Sequence, residues 1–199
     1  MGEPLTFQQG LAVTGKHPLT VMDFARMAEV GILREDDRVE LIEGELIDMA
    51  PIGPGHIGAI ALLTKMMVVA AADKAVVSVQ SSILLSDRSQ PQPDLVLLKA
   101  RADYYRHALP APADILLLIE VADTSIEYDR DIKLPLYGKS GVPEVWLVNL
   151  KDEAIEIHQE PGMKGYQRIL RPDGDKVISP LLFSDFSLSV KQLFSPSAA

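Results

Sequence analysis

The sequence predicts an α/β (α+β) fold, and three observations carry that prediction. A strand-helix-strand unit occupies 114–149, the run Asp114-Ile115-Leu116-Leu117-Leu118-Ile119-Glu120-Val121 reads as a strand buried on both faces, and a long Ala/Leu/Met stretch reads as a buried helix. With 199 residues and 47% hydrophobic content, the chain can bury one full core. Residues 1–199 are therefore expected to form a single domain, with a core over 19–150 and C-terminal strands and a short helix over 151–194.

The apolar spacing of Val21, Phe24, Ala25, Met27 and Ala28 predicts a short amphipathic helix within 19–30, with Thr20 as N-cap and Gly31 as the stop. A hairpin follows, in which Val39-Glu40-Leu41-Ile42 and Glu45-Leu46-Ile47-Asp48-Met49 flank the turn pair Glu43-Gly44. Pro51-Ile52-Gly53-Pro54-Gly55 breaks the chain before His56, and 56–74 has the length and content of a buried helix. Strands are expected at 75–85 and 93–99, separated by a polar turn, Ser86-Asp87-Arg88-Ser89-Gln90. The Glu120 strand then leads into a helix over about 128–140, ended by Gly141, and into the strand Pro143-Glu144-Val145-Trp146-Leu147-Val148-Asn149. If these two strands are parallel neighbours, the crossover between them is right-handed. Strands near 154–158 and 166–170 read as antiparallel edge structure, and 195–199 reads as a frayed end.

Composition narrows the partners. A formal net charge of −9 and a pI near 4.9 argue against non-specific retention of nucleic acid, which comes mainly from Lys and Arg displacing counterions. Any DNA contact must be local. The absence of cysteine excludes disulfides and thiolate metal sites and fits a reducing cytoplasm. Met1-Gly2-Glu3-Pro4-Leu5 lacks the basic start and apolar core of a signal peptide. The apolar stretch 57–72 contains Lys65 and falls short of the roughly 20 residues a membrane span needs. A cytoplasmic protein without membrane attachment is expected.

Glu120 is the most informative residue. An ionised group removed from water costs on the order of several kcal/mol, so a carboxylate in this apolar run must face a cation, a metal or a proton donor. Gln92-Pro93-Asp94 opens a second apolar run and places another carboxylate at a strand start, and Lys133 lies downstream. Two acids on neighbouring strands with a lysine nearby can bind a divalent ion and polarise a water for attack on phosphate. Asp94 taken alone also fits a turn-type Asp after proline, and Lys133 taken alone fits a solvated helix lysine.

Five blocks carry a family resemblance: Val39-Glu40-Leu41-Ile42-Glu43-Gly44-Glu45-Leu46, Pro91-Gln92-Pro93-Asp94-Leu95, Ile119-Glu120-Val121-Ala122-Asp123-Thr124-Ser125, Tyr128-Asp129-Arg130 through Lys133-Leu134-Pro135-Leu136-Tyr137, and Gly141-Val142-Pro143-Glu144-Val145-Trp146. In order and spacing the set resembles the Uma-two family, long a domain of unknown function and regarded as restriction-type endonucleases of the PD-(D/E)XK superfamily. The resemblance implies a restriction-endonuclease-like core, a mixed central sheet with helices on both faces, and phosphodiester hydrolysis that depends on Mg²⁺ or Mn²⁺. The chain departs from the superfamily formula two residues after Glu120, where Ala122 replaces Lys. In the resembled family the lysine has moved to the following helix, and Lys133 matches that position.

The resemblance thus implies a metal site of Asp94, Glu120 and the Val121 carbonyl, with Lys133 orienting and helping to deprotonate the attacking water. Glu40 is a further candidate ligand or water-orienting acid, although an exposed hairpin acid would fit equally simply; Glu43 is the fallback. His56, at a helix start after a glycine pair, could contact phosphate or merely cap. Asp129 could hold Lys133 or Arg130, whereas helix-dipole stabilisation suffices for Asp131. Tyr137 and Trp146 are expected to pack the core. DNA is the expected substrate and a homodimer or larger homo-oligomer the expected assembly, because two-fold symmetry suits a duplex. The competing function is a catalytically inactive nucleic-acid-binding or oligomerisation module that keeps the nuclease fold. Convergence of Asp94, Glu120 and Lys133 on one open cleft discriminates between the two.

Overall fold

The computed structural model describes residues 15–195; the expectations for Met1 to Leu5 and for the frayed residues beyond Ser195 lie outside that range. Helix α1 (Val21–Glu29) is capped as its sequence demands: the Asp23 N–H donates to the Thr20 hydroxyl while the Asp23 carboxylate accepts from the Thr20 N–H. Strands β1 (Val39–Ile42) and β2 (Glu45–Asp48) form the expected hairpin. Both turn residues take positive φ, 47° at Glu43 and 85° at Gly44, and a Cβ at Gly44 would collide with Pro18.

Helix α2 (Pro54–Ala71) starts earlier than the expected position 56, because Pro54 suits the first turn, where its missing N–H costs nothing. The stretch judged too short for a membrane forms this 18-residue helix, long and apolar enough by those two measures alone to cross one. Its Ala59, Ile60, Leu63, Met67 and Ala71 are buried in the protein core.

Among the described residues the central sheet has six strands: β3 (Ala75–Val79), β4 (Leu95–Lys99), β5 (Ile115–Ala122), β6 (Glu144–Asn149), β7 (Ala154–Gly162) and β8 (Gly165–Leu170), adjacent in that order. Only β5 and β6 pair in parallel, the pairing that a strand-helix-strand unit produces; the other neighbours are antiparallel. The strand expected over 75–85 ends at Val79. Gln80 turns away at φ 44°, and the chain beyond it carries Ile83 into the core as irregular structure. Two short strands, β9 (Val177–Ile178) and β10 (Leu188–Ser189), pair separately, and α5 (Val190–Phe194) closes the described chain.

Alternation along the strands divides the core in two. Leu95, Leu97, Leu117, Ile119, Val121, Trp146 and Val148 face α2 and the C-terminal segment, whereas Val96, Leu98, Leu118, Val145 and Leu147 face the helix that joins β5 to β6. Each face therefore has its own helical cover, as a sheet buried on both sides requires. That joining helix is not uniform. It runs as α3 (Ile126–Tyr128), a π-helical turn (Asp129–Lys133) and α4 (Leu134–Lys139). The Leu134 N–H reaches back five residues to the Asp129 carbonyl. Pro135 supplies a local cause, since it has no N–H and its ring crowds the preceding turn.

Candidate active site

Antiparallel pairing of β4 and β5 opposes Leu95 to Ile119, which sets Asp94 beside Glu120 at one end of the sheet, on the face covered by the π turn and α4. The backbone fixes both acids. The Asp94 N–H donates to Glu120 Oε2 at 3.3 Å, and the Val121 N–H donates to Asp94 Oδ2 at 2.9 Å. The β1–β2 hairpin contributes Glu40, and the first turn of α2 contributes His56, whose Nε2 lies 3.0 Å from Asp94 Oδ1. Asp94, Glu120, Glu40, His56, Val121, Asp129 and Lys133 all line one cleft of about 260 Å³. These seven predicted residues are thus brought together, whereas the fallback acid Glu43 lies outside the cleft and pairs with Lys139.

Lys133 occupies the floor. Its Nζ is 3.2 Å from Glu120 Oε1 and 3.2 Å from Glu40 Oε2, and the residue is only 5% exposed. Burial opposes the ammonium's charge, but Glu120, Glu40 and Asp129 outweigh it and hold the lysine protonated well beyond its usual range. Glu40 is buried rather than an exposed hairpin acid: Oε2 also accepts from the Gln92 N–H at 3.1 Å, and Oε1 accepts from the Tyr128 hydroxyl at 3.3 Å. Burial pushes the Glu120 carboxyl up to about 8, against the lowering effect of Lys133.

Two tyrosines of the joining helix belong to the site beyond their apolar surroundings. Tyr137 is fully buried, as expected of a core residue, yet its hydroxyl donates to Glu120 Oε1 at 2.5 Å. Burial and the adjacent Glu120 raise its ionisation well above the ordinary phenol value, so it stays a donor. Tyr128 is held neutral in the same way beside Glu40. A helical spacing of four between Lys133 and Tyr137 could have flagged the pair as sharing one face.

Asp129 makes no ion pair with Lys133 or Arg130 among the described residues. It accepts from the Ser125 hydroxyl at 2.6 Å and acts on Lys133 only through its field, while Arg130 pairs instead with Glu156. His56 does not cap α2, whose N-cap is Gly53; it bonds Asp94 instead, and that hydrogen bond raises its pKa despite partial burial. Arg38, Asp48 and Asp123 also line the cleft, and none was singled out as functional from sequence.

No three His, Cys, Asp or Glu side chains among the described residues converge in metal-binding geometry, because Lys133 stands between Glu40 and Glu120. The donor set nevertheless fits a hard divalent ion. Mg²⁺ needs one or two protein carboxylates and completes its shell with water and phosphate oxygens, and Asp94 and Glu120 supply two beside the Val121 backbone. Charge argues likewise: six carboxylates line the cleft (Glu40, Asp48, Asp94, Glu120, Asp123 and Asp129), and the fixed positive charges beside them are Arg38 and Lys133.

Fold and site together define a restriction-endonuclease-like α/β protein. The chain belongs to the Uma2 family, described as "Putative restriction endonuclease", whose model matches residues 21–191. A solved structure of similar fold is "a putative nuclease belonging to DUF820" from Anabaena variabilis ATCC 29413, with a TM-score of 0.69 and 17% identity over 89% of this chain and 98% of that one. No curated protein matches the sequence.

Proposed function

We propose that the protein is a metal-dependent endonuclease that hydrolyses DNA phosphodiester bonds. The observation that carries this reading is the placement of Lys133 from the joining helix between Glu120 and Glu40, in the cleft that also holds Asp94. Asp94, Glu120 and the Val121 carbonyl would hold Mg²⁺ or Mn²⁺. When bound, such an ion neutralises phosphoryl charge and acidifies a coordinated water. Lys133, a donor held in its charged form, orients the attacking water and stabilises developing negative charge. Glu40, itself held by the Tyr128 hydroxyl, fixes the lysine, and Tyr137 fixes Glu120.

Cleavage of single- and double-stranded DNA with Mg²⁺ or Mn²⁺, alongside metal titration, tests the assignment. Lys133→Ala is expected to lose cleavage while retaining metal binding, and Lys133→Arg to rescue poorly, because guanidinium is broader than ammonium. Undiminished cleavage by Lys133→Ala sinks the lysine's role. A wild-type protein that binds DNA but cuts neither form favours the inactive binding module.

The same reading includes a homodimer. Helix α2 has no acidic residue, and Ile57, Val68 and Val69 are exposed on it, Val69 at 76%. An acidic protein presents there an apolar surface without carboxylates, interrupted by one exposed cation, Lys65. A monomer by light scattering at micromolar concentration, with and without DNA, contradicts this assembly.

A further inference from the structure

We propose that Arg38 is the phosphate-binding residue of the cleft, its guanidinium engaging a backbone phosphate of the nucleic acid strand beside the bond to be cut. The inference rests on the nuclease reading and adds the contact that retains substrate. A phosphodiester approaching this cleft meets six carboxylates. Lys133 is buried and engaged by Glu40 and Glu120, which leaves Arg38 as the exposed cation among the residues lining the cleft.

Arg38 is also held where such a contact needs it. It directly precedes β1, its backbone carbonyl accepts from the Met49 N–H at 2.8 Å, and its Nη1 donates to the Ala50 carbonyl at 3.1 Å. These bonds tie it across the open end of the hairpin and occupy one of the five guanidinium N–H donors, leaving the others for a ligand. Asp48 and Asp123 line the same cleft, yet among the described residues no carboxylate pairs with Arg38. A planar fork with free donors matches phosphate oxygens, singly or bidentately.

Binding of fluorescently labelled single- and double-stranded oligonucleotides, followed by anisotropy with Ca²⁺ in place of Mg²⁺ over a range of NaCl, tests the proposal. Arg38→Ala should weaken binding roughly tenfold at low salt and reduce the slope of log K against log salt by about 0.9 on duplex, or about 0.7 on single strands. Arg38→Lys should keep the slope, since the charge survives, and lose part of the affinity with the fork. Metal titration and melting temperature should stay at wild-type values in both variants. Arg168→Ala, an exposed β8 arginine outside the cleft, serves as the control for general charge loss. Wild-type binding that Arg38→Ala leaves unchanged in affinity and slope, or that Arg168→Ala weakens equally, overturns the Arg38 assignment and leaves the nuclease reading standing. A wild-type protein that binds no DNA in any metal overturns both.

Discussion

Glu120 and Glu144 lie on the neighbouring parallel strands β5 and β6, both in apolar runs and both buried, yet they do different things. Glu120 projects toward the joining helix, where it meets Lys133 and Tyr137 and opens onto the cleft. Glu144 shares the opposite face with Trp146, is 0% exposed, and meets no cation among the described residues. Its carboxylate accepts from Trp146 Nε1 at 2.8 Å, Gln159 Nε2 at 3.0 Å and the Leu181 N–H at 2.6 Å. Three neutral donors satisfy it and tie the segment after β9 to the sheet. A buried acid in an apolar strand therefore identifies a site only when a cation and an opening accompany it.

The contrast is sharpest in stability. Glu144→Ala strands two donors in the core and frees the part-buried Leu181 N–H, and is expected to cost about 3–5 kcal/mol by denaturant titration, with the response to Mg²⁺ or Mn²⁺ preserved in the protein that folds. Loss of the metal response together with stability would mean that the two faces are coupled.

Glu120→Gln should do the reverse. Wild-type protein is expected to gain about 2.7 kcal/mol at metal concentrations a hundredfold above Kd, and the variant should gain nothing while matching or exceeding wild-type stability without metal. Equal metal responses in wild type, Glu120→Gln and Asp94→Ala contradict the proposed ligand set.

Proton linkage separates the same two residues. Burial raises the Glu120 carboxyl from 4.5 to about 8, so between these values the folded protein retains a proton that the unfolded chain has released. The Glu120 contribution to metal-free stability is thus fully present below about pH 4.5 and is lost as pH rises through 8, with a slope of up to about 1.4 kcal/mol per pH unit. Chemical denaturation across pH 5–9 (roughly that window) should show this decline in wild type and a flatter profile in Glu120→Gln. Identical profiles would assign the decline elsewhere.

The smallest effect belongs to Tyr137→Phe, which removes only the hydroxyl behind Glu120. Outer partners of metal ligands are typically worth tenfold or more in affinity, so Mn²⁺ binding by calorimetry should weaken about tenfold. An unchanged affinity would reduce Tyr137 to the core residue its sequence suggests.

Much of the fold was legible because its signals are local. The Thr20 capping box, the Glu43-Gly44 turn, the two-sided burial of β5 and the strand-helix-strand unit follow from neighbouring residues whose preferences tertiary packing did not override. The β3 strand was overextended because its β-branched pattern runs past the point where Gln80 turns, a turn set by contacts with Gln92 and Asp94 rather than by nearby sequence. Asp94, Glu120 and Lys133 were visible through their family blocks.

The sequence by itself determined that Glu120 would be buried and would need a partner, because period and polarity are properties of a single strand. Only the tertiary structure decided which partners it has. Glu40 reaches Lys133 across 93 positions of chain, the π turn before Pro135 delivers Lys133 to the cleft floor, and Tyr137 turns a core ring into a donor. Strand register and helix phase create these meetings, and both are fixed by packing between segments distant in sequence.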